Sequence, residues 1–364
     1  MSEQGRAESG IVPFRRVAVI GAGAWGTALA QCARWADREV MIWARREAVA
    51  ESINLRHENP ESLPDVPLDP GLRATTEMDQ ALARAEMVLL VIPSQFLRSV
   101  ARQMAPLLAR DAPVLLCAKG VESGTGALMT EVAAQELPGH PLGVLSGPNF
   151  AAEVARGLPT ATTVAADDVA GPRLVASLRT ASFRPYLTDD LIGAEVGGAV
   201  KNVLAIACGI AHGRRLGENA RAALITRGLV EVGRLGVALG GRLETVMGLA
   251  GLGDLTLTCS SEQSRNMAFG VALGQGHSQQ ELLAGRHSVV EGVVNAVSVT
   301  ALAHHHGIEM PICEAVNSIL NEGADIDRVI RQLLERPLKI ETTGKEQRSP
   351  TLDQTNDALR DSLS

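Results

Sequence analysis

A lysine and an asparagine stand inside an otherwise small and apolar run, Gly197-Gly198-Ala199-Val200-Lys201-Asn202-Val203. The run predicts a helix, on which Gly198, Gly197, Leu204 and Ala205 are the neighbours three and four positions from Lys201. No carboxylate stands at i,i+4 spacing to pair with it. Such a lysine either snorkels its ammonium to water along an apolar face or sits in a cleft. In a cleft, desolvation draws its pKa down toward neutrality and makes it a proton donor. The small residues beside its stem then leave room for a flat ligand.

Three other positions could serve the same chemistry. Lys119, in Cys117-Ala118-Lys119-Gly120, offers a second cation, its plain alternative being a loop lysine in water. Asp254, after Gly251-Leu252-Gly253, could orient an ammonium or a substrate hydroxyl, or simply cap a helix. Ser264-Arg265-Asn266 opens a predicted helix. There Ser264 can act as cap while backbone N–H groups and the Arg265 guanidinium meet a phosphate. His304-His305-His306 is no metal site on this reading, because consecutive helical side chains point about 100° apart and cannot converge on one ion. No zinc-type or hydrolase-type motif is present elsewhere, and no metal is expected.

These groups need a cofactor if they are to do redox chemistry, and the chain opens with one candidate site. A short apolar strand, Arg16-Val17-Ala18-Val19-Ile20, runs into Gly21-Ala22-Gly23-Ala24-Trp25-Gly26 and then a helical pattern from Thr27 to Trp35. In strand-turn-helix context Gly21 permits the tight turn, Gly23 the close approach of a pyrophosphate, and Gly26 the packing of helix on strand. Nineteen residues past Gly26, where an NAD-selective site offers an acid, the chain has Arg45 and Arg46. Two guanidinium groups suit a 2′-phosphate, which favours NADP(H) with NAD(H) possible; the alternative is that they cover the sheet edge. Phe96, after the strand ending at Val91-Ile92-Pro93, is a candidate to pack on the cofactor or in the core.

Strands at Glu39–Ala44, Met87–Ile92, Pro113–Ala118 and Pro141–Ser146 alternate with helical segments, one of them from Ser94 to about Leu108. The alternation predicts an α/β fold, a doubly wound parallel sheet of Rossmann type. Two extra strands follow, near 160–165 and 183–187, and from about Leu191 the pattern turns helical. The expected organisation is a flexible segment at 1–13, a dinucleotide-binding domain at 14–190, an all-helical substrate domain at 191–340 and a disordered tail at 341–364. A chain of 364 residues fits two domains. A net charge of −7 disfavours nucleic acid or an anionic membrane as the main partner. Five scattered cysteines without a CxxC pair read as buried thiols in a reducing cytosol. No signal peptide or membrane span is read, so a cytoplasmic protein without stable membrane insertion is expected.

Six motifs taken together, the glycine loop, Cys117-Ala118-Lys119-Gly120, Leu145-Ser146-Gly147-Pro148-Asn149-Phe150-Ala151, Gly197–Asn202, Gly251–Leu255 and Ser264–Asn266, resemble the bacterial type of NAD(P)-dependent glycerol-3-phosphate dehydrogenase. The resemblance covers about residues 15 to 340. It implies reversible hydride transfer between NAD(P)H and dihydroxyacetone phosphate, giving sn-glycerol 3-phosphate for glycerophospholipid synthesis, and a homodimer. It implies that Lys201 exchanges the proton at the substrate oxygen and that Lys119 contacts cofactor and substrate. Gly147, Asp254, Ser264, Arg265 and Asn266 would line the substrate, with Arg265 also near the cofactor. Ala24, Trp25, Arg45, Ala151, Val289 and Glu291 would fall at cofactor contacts. Asn149 departs from the threonine or serine frequent in Gly-Pro-x-Phe, though its amide can still hydrogen-bond the substrate. The competing expectations are another β-hydroxyacid dehydrogenase of similar plan and a non-catalytic dinucleotide sensor. The sensor would need neither lysine.

Overall fold

The computed structural model describes residues 10–284 and 290–337. Val289, most of the segment expected to be flexible at 1–13, and the tail expected at 341–364 lie outside them. The described residues form one eight-stranded sheet of order β3-β2-β1-β4-β5-β6-β7-β8. The strands are β1 Arg16–Ile20, β2 Glu39–Trp43, β3 Arg73–Thr75, β4 Met87–Leu90, β5 Val114–Leu116, β6 Leu142–Ser146, β7 Thr160–Ala165 and β8 Phe183–Thr188. Val17 to Ile20 and all of β4 and β5 are buried, as strands covered by helices on both faces must be.

From β3 to β6 the strands are parallel in the dinucleotide-binding order, whose switch point lies between β1 and β4. The parallel pattern expected through β6 is present, and the first of the two extra strands, β7, runs antiparallel to β6 with Ser146 opposite Thr163. The connecting segment holds one helix, Ala151–Ala155. The chain re-enters the sheet from the end it left, with no helix long enough to run back along the strand: five helical residues rise about 7.5 Å. Strand β3 was not legible in the sequence, since only Ala74 of its three residues is buried. The segment expected to be helical from Ser94 to about Leu108 starts as a 3₁₀ turn, Ser94–Phe96, and its α-helix ends at Met104.

The helical part is organised around Leu191–Gly213, capped at Asp190 by a bond from the Gly193 amide. This helix of 23 residues is long and apolar enough to cross a bilayer, a feature the sequence reading did not register, and 78% of its most apolar window is buried inside the protein. Helices Glu218–Ala238, Asp254–Ser260, Arg265–Gly274 and Glu291–His305 pack around it. Glycines set the closest approach. A methyl at Gly209 would stand 2.3 Å from the Met267 carbonyl oxygen, and one at Gly270 would stand 2.3 Å from that of Ile206. Gly213 and Gly274, one turn further along, interlock the same way. This contact brings the start of the Arg265–Gly274 helix beside the lysine helix. All five cysteines are buried thiols.

Candidate active site

The glycine turn has the geometry a dinucleotide requires. Gly21 has φ +119°, and a Cβ there would meet the Val91 carbonyl oxygen at 2.1 Å. A Cβ on Gly26 would meet the Gly21 carbonyl oxygen at 1.9 Å, while beside Gly23 there is nothing within 4 Å. Two glycines are thus required by the protein's own packing and one opens onto free space. The helix Ala24–Trp35 begins at Gly23 without a side-chain cap and without an acid in its first turn, so its positive end faces that space. Asn59, fully buried, pins the turn by donating to Ala22 O and Thr27 Oγ1, both at 2.9 Å. Sequence reading missed it, since nothing local marks an asparagine 32 residues from its partner.

Trp25, Ala24 and Ala151 pack, partly buried, against the core beside the turn. Arg45 and Arg46 follow β2 after the buried Ala44 and are exposed; the carbonyl of Trp43 accepts from the Gly21 amide at 3.1 Å. Arg46 also pairs with Glu61 at 2.5 Å. Phe96 is 53% exposed, so it is not a core residue.

At the other end of the site two lysines share one carboxylate. Lys201 Nζ lies 2.5 Å from Asp254 Oδ1, and Lys119 Nζ lies 2.5 Å from Asp254 Oδ2. Lys201 is therefore not the unpaired lysine its own helix implies. Its partner is 53 residues away, carried in by the helix Asp254–Ser260. Asp254 is fully buried, and the lysine side chains are 11% and 15% exposed for Lys201 and Lys119. Burial pulls the Lys201 ammonium down to about 8; Asp254 resists the fall and the charge of Lys119 adds to it. Thr258, one turn after Asp254, donates to the Asp254 carbonyl at 2.6 Å. Its one proton is thereby used, so toward Lys201, at 3.0 Å, it can only accept.

The expected room for a flat ligand beside the Lys201 stem is filled. A Cβ on Gly197 would strike the Ala250 carbonyl oxygen at 2.4 Å, and one on Gly198 would lie 3.2 Å from Lys119 Cγ and from Ser146 Oγ. The two glycines admit the turn before Asp254 and the stem of Lys119, which is how three charged groups meet. Lys119 Nζ also donates to the Gly147 carbonyl at 3.3 Å. Gly147 has φ +154° and lies against Thr162. Asn295 fastens the lysine loop to the lysine helix, its amide donating to Lys119 O at 3.4 Å and Ala199 O at 3.2 Å.

Ser264 caps its helix through the Met267 amide, and Arg265 is exposed on the first turn. Asn266 donates to Asn202 Oδ1 at 2.9 Å and accepts from the Gly292 amide at 3.0 Å; Asn202 in turn donates to Glu291 Oε2 at 3.3 Å. Burial raises the pKa of Glu291, while the charges of Arg265, Lys201 and Lys119 oppose the rise. All three cations thus act electrostatically on one carboxyl.

The model of the amino-terminal domain of NAD-dependent glycerol-3-phosphate dehydrogenase matches residues 16–171, and that of its carboxy-terminal domain matches residues 190–331. The chain belongs to this dehydrogenase family. A glycerol-3-phosphate dehydrogenase [NAD(P)+] of Rhodospirillum rubrum is 56% identical over 336 residues, 92% of this chain and 96% of the relative. One of Parvibaculum lavamentivorans is 54% identical over 90% of this chain and 99% of its own length. The crystal structure of the Coxiella burnetii glycerol-3-phosphate dehydrogenase superposes with a TM-score of 0.85 at 42% identity, covering 88% of this chain and 99% of that one. A D-mandelate dehydrogenase shares the fold alone, at 13% identity and a TM-score of 0.57. As a glycerol-3-phosphate dehydrogenase, the protein is an oxidoreductase built from a Rossmann-type sheet and a helical part. The lysine pair of this dehydrogenase lies where the two parts meet: Lys119 follows β5 of the sheet, and Lys201 and Asp254 come from the helices.

Proposed function

We propose that this dehydrogenase reduces dihydroxyacetone phosphate to sn-glycerol 3-phosphate, reversibly, with NADP(H) preferred over NAD(H). The observation that carries the reading is the shared Asp254 carboxylate between Lys201 and Lys119. The glycine turn, the first amides of Ala24–Trp35 and Arg45 would hold a nicotinamide dinucleotide, whose chemistry would be to supply a hydride to the substrate carbonyl carbon. Charge then builds on the carbonyl oxygen and must be neutralised. Lys201 Nζ gives up its proton there, and a pKa near 8 lets the same group act in both directions at neutral pH. Lys119 polarises the carbonyl and keeps Asp254 neutralised once Lys201 is uncharged. Asp254 orients both ammonium groups through its two oxygens. Loss of NADPH absorbance with dihydroxyacetone phosphate, against its unphosphorylated analogue, tests the reading. Turnover of neither would refute it.

The phosphate belongs at Arg265, where a guanidinium fork and backbone donors at a helix start favour an anion. Losing a charge-assisted contact costs about 1.5 to 3 kcal/mol. Arg265→Ala is therefore expected to lower kcat/KM for dihydroxyacetone phosphate at least about tenfold, and to change it much less for unphosphorylated dihydroxyacetone. Equal proportional loss on both would assign Arg265 to the cofactor or the fold.

The cofactor preference rests on Arg45 and Arg46, with Arg46 already shared with Glu61. Neutralising both is expected to raise KM for NADPH far more than KM for NADH. A wild type that strongly prefers NADH would remove the argument. The five free, buried thiols support a cytoplasmic enzyme, and the family resemblance supports a role in glycerophospholipid synthesis and a homodimer.

A further inference from the structure

Two buried polar atoms flank Gly147 and bond to no protein group among the described residues: Ser146 Oγ and Asn149 Oδ1. The Asn149 oxygen is the more informative, because its orientation is dictated. Thr162, completely buried on β7, donates its hydroxyl proton to the Ser146 carbonyl at 3.1 Å. With that proton used, Thr162 Oγ1 can only accept, and it accepts from Asn149 Nδ2 at 3.0 Å. A flipped amide would put two acceptor oxygens face to face. Asn149 Oδ1 is thereby held as a desolvated acceptor, which is costly unless something donates to it. The segment that carries it lies at the reacting end: Lys119 Nζ bonds to Gly147 O at 3.3 Å, and Pro148 packs near Gly253, the residue before Asp254.

We propose that Thr162 is a specificity-determining positioning residue, which locks Asn149 so that its Oδ1 accepts a hydrogen bond from the free hydroxymethyl group of the substrate. The inference rests on the substrate reading above. In dihydroxyacetone phosphate the ketone oxygen and the phosphate dianion are acceptors, and the terminal hydroxyl is the one donor. An acceptor with fixed orientation therefore selects that end of the molecule, and it disfavours a substrate entering phosphate-first. A site built around a hydroxyl discriminates strongly against an analogue that lacks it.

The test compares dihydroxyacetone phosphate with hydroxyacetone phosphate, in which a methyl replaces the hydroxymethyl group, using the full chain and NADPH. Thr162→Val keeps the shape, removes the hydroxyl and frees the amide to turn. It is expected to lower kcat/KM for dihydroxyacetone phosphate about tenfold and to leave that for hydroxyacetone phosphate nearly unchanged. Thr162→Ser, which retains the hydroxyl, is expected to restore the wild-type ratio. Should the valine variant not fold, Asn149→Leu must show the same selective loss. Equal loss on both substrates, an unchanged ratio, or a rise confined to KM for NADPH would overturn the proposal. Wild-type turnover of neither substrate would instead refute the substrate reading itself.

Discussion

Lys201→Met is expected to lower kcat by about 10²-fold or more while leaving NADPH binding nearly intact, because the variant keeps the bulk of the stem and loses the proton and the charge at the reacting oxygen. The wild-type pH profile carries the sign. Reduction needs the ammonium, so kcat/KM for dihydroxyacetone phosphate should be level below about 8 and fall as pH rises through it. Oxidation of glycerol 3-phosphate needs the neutral amine and should rise through the same value. Steady-state rates from pH 6 to 10 in both directions, with dinucleotide binding followed by fluorescence, measure all of this. A methionine variant with near-normal turnover would end the assignment.

Asp254→Asn is expected to be nearly as damaging, for a different reason. Asp254 is the group whose charge does most to hold the proton on Lys201 against burial and against Lys119. Without it the Lys201 pKa must fall further, so the descending limb for reduction should move to lower pH, and kcat at neutral pH should fall by about 10²-fold. Removing the carboxylate also leaves two largely buried ammonium groups facing each other, a situation that costs about 3 to 5 kcal/mol when a buried pair is broken. A lower Tm is expected, and the position of the pH limb separates chemistry from stability. An unmoved limb would show that Asp254 does not control Lys201.

The parts of this site legible from sequence are those written in short-range spacing. Gly21, Gly23 and Gly26 stand together in one six-residue turn, although the carbonyl that Gly21 packs against belongs to the distant Val91, and Ser264 caps a helix it directly precedes. What the sequence could not supply is the partner of Lys201. Its i,i+3 and i,i+4 positions are small residues, and they read as space for a ligand. In the folded protein that space admits Lys119 and the turn leading to Asp254. Thr258 was recoverable, since it lies four residues after Asp254 on the same helix.

By itself, then, the sequence determined the alternation of strands and helices apart from β3, the dinucleotide turn, and a lysine embedded in an apolar helix, because these depend on patterns within one or two turns of chain. The tertiary structure decided which charges meet. Lys119 and Asp254 are 135 residues apart, and they are joined because glycines at 197 and 198 let backbone and stem approach the lysine helix where any side chain would keep them away. It likewise decided that β7 runs against β6, which puts Thr162 within reach of both Ser146 and Asn149. No local pattern encodes that direction, because the segment between Ser146 and Thr160 is long enough for a connection of either sense.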